Sequence, residues 1–389
     1  MKNATDRRTF LGAAATAGVF FTGRGARAGE TGKPALMGGE PIRREPFPSW
    51  PRSDARAETD LIAVLRSGRW FRGRGDRVKH FESAYAKLTG AKNCVAVANG
   101  TGALTTSLAT IGVGPGDEVI VPPYTFIATV NAVLMQYALP VFVDVDPETF
   151  QIDPTKIESA VTDRTTAIVP VHLGGSAADL DAILEIGSRR KLPIVEDACQ
   201  AHLAEWRGRK VGTLGTVGCF SFQNSKNLTS GEGGAILTED DELAARCAAF
   251  QNNTSGKSGC GRAVNLRLTE FQGSLLLAQL AYLEQQAETR SRNAAKLTAM
   301  LREIPGIAPA RMYEGCTRNA YHLYMFRYDP AAFAGLPRAG FLKALGAEGV
   351  PASGGYTPLN REPFLQAALD SKGFRRVFPK EVLDGWRDR

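Results

Sequence analysis

The loop Phe220-Ser221-Phe222-Gln223-Asn224-Ser225-Lys226-Asn227-Leu228-Thr229-Ser230-Gly231-Glu232-Gly233-Gly234 sets one lysine among small and polar residues directly after an apolar run. A lone loop lysine is ordinarily a solvated charge, so its chemistry depends on its company. Val195-Glu196-Asp197-Ala198-Cys199-Gln200 ends another apolar run on an acid, Asp197, which standing alone reads first as a helix N-cap. Asn99-Gly100-Thr101-Gly102-Ala103-Leu104 is a small-residue turn opening a helix; it can present backbone N–H groups to a phosphate, although many helices begin this way. Pro122-Pro123-Tyr124-Thr125-Phe126 offers aromatics that can stack on a planar ring. Together these are an amine able to form a Schiff base, a carboxylate able to keep a proton on a pyridine nitrogen, and donors for a phosphate. That is the set a pyridoxal 5'-phosphate enzyme requires.

Such residues must be gathered by a sheet, and in a doubly wound sheet the ligand lies at the carboxyl ends of the strands. Strands are expected at Val95 to Ala98, Glu118 to Val121, Val141 to Val145, Ala167 to His172, Pro193 to Glu196, Gly218 to Phe222 and Gly234 to Leu237, alternating with helical periodicity. The pattern predicts an α/β fold with a mostly parallel sheet covered on both faces. A helix from Leu268 to about Leu301 leaves this region, and Tyr321 to Tyr328 reads as an alternating strand. The expected organisation is a large cofactor domain over 29–285, with an N-terminal arm, and a smaller α+β domain over 286–389. Gly73-Arg74-Gly75 lacks the preceding strand and third glycine of a dinucleotide turn, and reads as a surface loop before a helix.

Composition narrows the function classes. The 389 residues are 43% hydrophobic and 22% charged, too apolar for a disordered chain. No apolar run reaches the roughly 18 to 20 residues that span a bilayer, so no stable membrane insertion is expected. The net charge of +7 raises the question of nucleic acid, yet no basic stripe or binding motif accompanies it. Residues 1–28 hold five Lys or Arg and one acid, leaving 42 minus 39, or +3, for the rest. That segment, with Asp6-Arg7-Arg8-Thr9-Phe10-Leu11, an apolar stretch to Phe21 and Ala26-Arg27-Ala28, reads as a twin-arginine export signal, and predicts an exported or periplasmic protein. Six cysteines without a C-x-x-C pair and four scattered histidines predict no metal site.

The chain resembles the DegT/DnrJ/EryC1/StrS aminotransferases, which act on sugars and cyclitols. The resemblance runs from about residue 35 onward, through Asn99-Gly100-Thr101, Gly114-Pro115-Gly116-Asp117-Glu118-Val119-Ile120-Val121-Pro122, Glu196-Asp197-Ala198 and the Lys226 loop. It implies an aspartate aminotransferase-like (type I) fold and a homodimer with shared sites. Lys226 would form the Schiff base and later move the substrate proton, and Asp197 would pair with the pyridine nitrogen. Gln200 would contact the ring hydroxyl, and Thr101, Gly102 and Ser221 would hold the phosphate. Phe126 would stack on the ring, with Tyr124 a neighbour, and Asn265 in Val264-Asn265-Leu266-Arg267 would reach the phosphate of the other subunit. Family dehydratases carry histidine in place of the lysine, so Lys226 argues for transamination. Ser221 to Lys226 and Gly355-Tyr356-Thr357-Pro358-Leu359-Asn360 are most similar to glutamine-dependent inosose aminotransferases, implying ping-pong transfer from glutamine or glutamate to a keto-cyclitol or nucleotide-linked keto-sugar. Two departures are the export signal and an end at Trp386-Arg387-Asp388-Arg389, where similar enzymes continue; they keep open an exported, non-catalytic binding protein.

Overall fold

The computed structural model describes residues 32–257, 259 and 261–387. The expected export signal and Cys260 lie outside the described residues. By internal contacts the chain forms two units, one comprising residues 51–293, 311–324 and 357 onward, the other the residues up to 50 with 294–310 and 325–356. The expected organisation drew a single boundary after residue 285, whereas these units are each assembled from separate stretches of chain.

The larger unit holds the sheet. Its strands are β1 (Asn93–Val97), β2 (Glu118–Val121), β3 (Leu139–Phe142), β4 (Thr165–Ile168), β5 (Val195–Asp197), β6 (Val217–Ser221) and β7 (Gly234–Thr238). β2 pairs in parallel with β3 and β4, and β5 in parallel with β6. Parallel bridges Ile168↔Ile194 and Val171↔Asp197 join the two halves. β7 runs antiparallel to both β6 and β1. The spatial order is therefore β3-β2-β4-β5-β6-β7-β1, parallel except for β7. The strands are nearly continuous runs of buried residues, as a sheet covered on both faces demands. Helices α1 (Ala55–Ser67), α2 (Arg77–Thr89), α3 (Gly100–Thr110), α4 (Ile127–Leu134), α5 (Leu180–Arg190), α6 (Asp241–Gln251) and α7 (Glu270–Leu301) accompany the sheet, α7 reaching Leu301 as expected. The Gly73-Arg74-Gly75 turn precedes α2, where the Glu270 carboxylate accepts from the N–H of Arg77 at 2.7 Å and caps that helix.

Both sheet edges are blocked, which prevents edge-to-edge pairing. At β1, Arg72 donates to Ala96 O and Glu82 accepts from Ala96 N–H, each at 2.8 Å. At β3, the indole N–H of Trp386 donates to Pro140 O at 2.7 Å, and Leu139 packs with Leu369, Phe374, Phe378 and Leu383. The last described residues thus belong to the large unit.

The smaller unit pairs Ile307–Pro309 with Phe326–Tyr328 and carries helix α8 (Arg338–Ala347). Tyr328 stacks on Phe341 and Phe333 at 4.5 and 4.9 Å. Buried Glu348 accepts from the N–H groups of Ala35 and Ile42, tying down the N-terminal arm. The strand expected over Tyr321 to Tyr328 is shorter: it begins at Phe326. Tyr321 has φ +47°, which no strand tolerates, and the N–H groups of Ala320 and Leu323 go to Gly175 and Gly174 of the large unit's own turn. Side-chain alternation alone did not reveal this.

Candidate active site

Alternation along β5 sends Glu196 and Asp197 to opposite faces of the sheet. Glu196, fully buried, accepts from the N–H groups of Gly212 (2.6 Å), Leu214 (2.8 Å) and Gly215 (2.6 Å) and from Nε2 of His172 (2.9 Å). His172 Nδ1 accepts from Ala178 N–H at 3.1 Å, which fixes the tautomer with the proton on Nε2. Burial by itself would raise the Glu196 carboxyl, but the His172 and backbone donors outweigh it and hold it below the usual value. On the other face Asp197 is 5% exposed. Its Oδ1 accepts from Cys199 N–H at 3.2 Å and its Oδ2 from the hydroxyl of Thr129 at 2.8 Å. No helix follows Asp197, so it is not an N-cap.

The N-cap of this region is Asn99, whose Oδ1 accepts from Gly102 N–H at 2.7 Å. With that bond made, Gly100 and Thr101 carry the outward N–H groups of the first turn of α3. Gly100 must be glycine: a Cβ there would stand 2.7 Å from Ser221 Cβ and 3.0 Å from Cys199 Sγ. The start of α3, the turn after β5 and the end of β6 therefore converge on one point. Leu266, beside Asn265, lies against Gly102.

Ser221 ends β6, and its carbonyl accepts from Nε2 of His202 at 2.9 Å while Nδ1 of that ring accepts from the Tyr85 hydroxyl at 2.9 Å. Burial among Tyr85, Phe220 and Phe222 lowers the His202 pKa to about 4, so the ring is a neutral spacer. Lys226 follows, with its amine pKa lowered chiefly by burial and pulled back by the charge of Asp197. Burial likewise keeps the Cys199 thiol protonated. Asn227 donates to Ala320 O at 2.8 Å, Gly174 N–H donates to Gln200 Oε1 at 2.8 Å, and the Gly174-Gly175 turn holds residues 320–323. His322 comes with that segment; burial, then the charge of Lys226, takes its pKa to about 3.

Of the residues expected at the site, the structure brings Asp197, Lys226, Ser221, Gln200 and the Gly100–Gly102 turn to one end of the sheet. Phe126, 51% exposed, sits at the start of α4, Tyr124 faces Phe150 at 6.0 Å, and Asn265 is exposed in the segment beside Gly102. Sequence reasoning missed Thr129, His202 and the Glu196–His172 pair. Only Thr129 left a signal, a second hydroxyl one helical turn after Thr125 in an otherwise apolar stretch. No cluster of three or more metal-ligating side chains is found among the described residues.

A protein-family model described as the DegT/DnrJ/EryC1/StrS aminotransferase family matches residues 51–375. The chain belongs to that family. It is 41% identical over 347 residues to the L-glutamine:2-deoxy-scyllo-inosose aminotransferase of Streptomyces paromomycinus, covering 84% of this chain and 82% of the relative. It is 38% identical over 371 residues to the L-glutamine:scyllo-inosose aminotransferase of Streptomyces griseus, covering 89% and 87%. The crystal structure of 3-amino-5-hydroxybenzoic acid synthase superposes with a TM-score of 0.78 at 36% identity, covering 88% of each chain. The chain is thus a pyridoxal phosphate-dependent aminotransferase of the α/β type I fold. The residues present fit that cofactor: a sheet-end carboxylate, a half-buried amine of lowered pKa, and a glycine-rich turn at a helix N-terminus.

Proposed function

We propose that this aminotransferase moves the amino group of glutamine, or of glutamate, to the keto group of a cyclitol such as an inosose, in a ping-pong cycle. The observation that carries the choice of substrates is the identity, near 40% over more than four-fifths of the chain, to enzymes that use glutamine and inososes. A nucleotide-linked keto-sugar is the related acceptor class, and a sugar-modifying structure of the fold, one solved with its TDP-sugar product, is 29% identical.

When bound, pyridoxal phosphate supplies an electrophilic carbon for the amine and a ring that takes up electrons. The chain's own residues do the rest. Lys226 Nζ would anchor the cofactor and would move the proton during transfer; its lowered pKa favours the free amine this requires. Asp197 would hold a proton on the pyridine nitrogen, and Gln200, whose Oε1 accepts from Gly174 N–H, would contact the ring hydroxyl. Thr101 and Ser221 would hold the phosphate at the positive end of α3, with Gly102 in the same turn. Phe126 would stack on the ring. Asn265 completes the phosphate site of a second subunit in a homodimer, a role its exposure allows. Residues 1–28 act as a twin-arginine signal, tested by whether Arg7→Lys/Arg8→Lys abolishes export.

Purified protein should be yellow, transfer the amine of glutamine to scyllo-inosose or 2-deoxy-scyllo-inosose, and give the aminocyclitol mass in the product. Lys226→Ala should lose both colour and turnover. A colourless wild type in excess cofactor would refute the proposal, and turnover only with nucleotide-sugars would move the acceptor class.

A further inference from the structure

The Asp197 carboxylate is not oriented by its own strand alone. The torsion that turns an aspartate carboxylate is broad and roughly two-fold, so one bond to one oxygen leaves its plane free to swing. The Cys199 N–H, two residues along, engages Oδ1 only. Oδ2 is engaged from a different element, by the hydroxyl of Thr129 on α4, and Thr129 is 1% exposed. An ionised carboxylate only accepts, so the single Thr129 proton is committed to Asp197. The Thr125 hydroxyl, 3.0 Å from that of Thr129 and equally buried, must then be the donor to it. The result is a directed chain, Thr125 to Thr129 to Asp197, in which each bond polarises the next. It reaches across from the helix after β2 to the end of β5. The charges of Lys226 and Asp197 also attract each other, so a carboxylate held at one oxygen would be free to turn in response to the amine.

Resting on the role assigned to Asp197 above, we propose that Thr129, itself aimed by Thr125, is the positioning residue that fixes the Asp197 carboxylate against the pyridine nitrogen of the cofactor. Thr129→Val keeps the shape and removes the donor; Thr129→Ser keeps the donor.

The test uses apoprotein reconstituted with pyridoxal phosphate and, separately, with its N-methylated analogue, whose ring nitrogen carries a fixed positive charge and no proton. The Kd of pyridoxal phosphate for apo Thr129→Val should rise about tenfold, and kcat with glutamine and an inosose should fall about tenfold or more with KM for glutamine unchanged. Thr129→Ser should restore both. With the N-methyl analogue, variant and wild type should turn over within about twofold of each other, since no proton is left to hold. Wild-type Kd and kcat in Thr129→Val would overturn the proposal, as would an equal loss with the analogue, which would mark a purely structural role. Should Thr129→Val not fold, Thr125→Val, which leaves Thr129 in place but removes its donor, is read the same way: a severalfold rise in Kd is expected, and wild-type values overturn the proposal. Failure of the wild type itself to bind the cofactor or transaminate would instead refute the assigned function.

Discussion

Glu196→Gln should destabilise the large unit out of proportion to its near-isosteric shape. Each carboxylate oxygen accepts two bonds: Oε1 from Leu214 and Gly215, Oε2 from Gly212 and His172. The amide has one acceptor oxygen, so two orientations are available. With the NH2 group at the Oε1 position, it opposes two backbone N–H groups that cannot change. At the Oε2 position it opposes Gly212 N–H and His172; a tautomer shift at His172 relieves one clash, but it puts a proton on Nδ1 and strands the N–H of Ala178. Either way two buried donors lose their acceptor, at about 1–3 kcal/mol each, giving a loss of about 2–6 kcal/mol. At about 2 °C per kcal/mol for a unit of this size, Tm should fall by about 4–12 °C. Thermal unfolding of apoprotein followed by circular dichroism at neutral pH measures it directly. The sign with pH follows from the lowered Glu196 pKa: its contribution is complete above the ordinary carboxyl range and is lost as pH falls through the folded value. The substitution should therefore remove part of the acid sensitivity along with the stability. A Tm unchanged within about 1 °C would refute the reasoning, since it would mean the buried donors find other partners.

Gly100→Ala sets a methyl 2.7 Å from Ser221 Cβ on a sheet strand that cannot yield, so a loss of about 1–3 kcal/mol and a weaker Kd for pyridoxal phosphate are expected by calorimetry, and wild-type affinity would contradict the convergence at that turn. Trp386→Ala should cost about 1–3 kcal/mol in urea unfolding by stranding Pro140 O on the edge strand, and should raise aggregation; unchanged stability would show that the edge is covered otherwise. His202 is neutral when folded, with a pKa of about 4 against 6.5 unfolded, so stability is full above about 6.5 and falls toward pH 4; His202→Phe should flatten that limb of the acid-unfolding curve, and an unflattened limb would refute it. The rate at which apoprotein captures pyridoxal phosphate should rise with pH to an inflection below the ordinary lysine value, set by the burial of Lys226, and an inflection at the ordinary value would refute the burial argument.

How much of this was legible in the chain follows from how local each signal is. Runs of buried β-branched residues placed β2 at Glu118–Val121 to the residue, because three apolar positions between an acid and a proline leave no choice. β3 starts two residues before the expected Val141, at Leu139: the cue was the Val-Phe-Val run, whereas the register is set by pairing with β2, which is not local. Lys226 and Asp197 were readable because each follows a strand and the topology delivers strand ends to one place. Thr129 was not, because its meaning depends on a bond across 68 positions of sequence. His202 and His172 were equally hidden; a scattered histidine says nothing until the partners on both ring nitrogens are known. The C-terminal helices carried no such cue either, since their role at the β3 edge rests on contacts with residues more than 200 positions earlier.

The same geometry explains why one amine suffices here. Near Lys226 two histidines and a thiol are kept uncharged by burial: His202 at about 4, His322 at about 3, and Cys199 as a thiol. The charge of Lys226 is itself among the causes that lower both histidines. Coupling of this kind is mutual, so a proton on either ring would make the amine harder to protonate, and the amine, with the highest intrinsic affinity, takes the proton first. The carboxylate of Asp197 accepts from the Cys199 N–H and the Thr129 hydroxyl, and its charge is what pulls the amine of Lys226 back toward its proton. Neutral donors hold the carboxylate in place while leaving its charge to act on the cofactor, which is the arrangement that proton transfer at a ring needs.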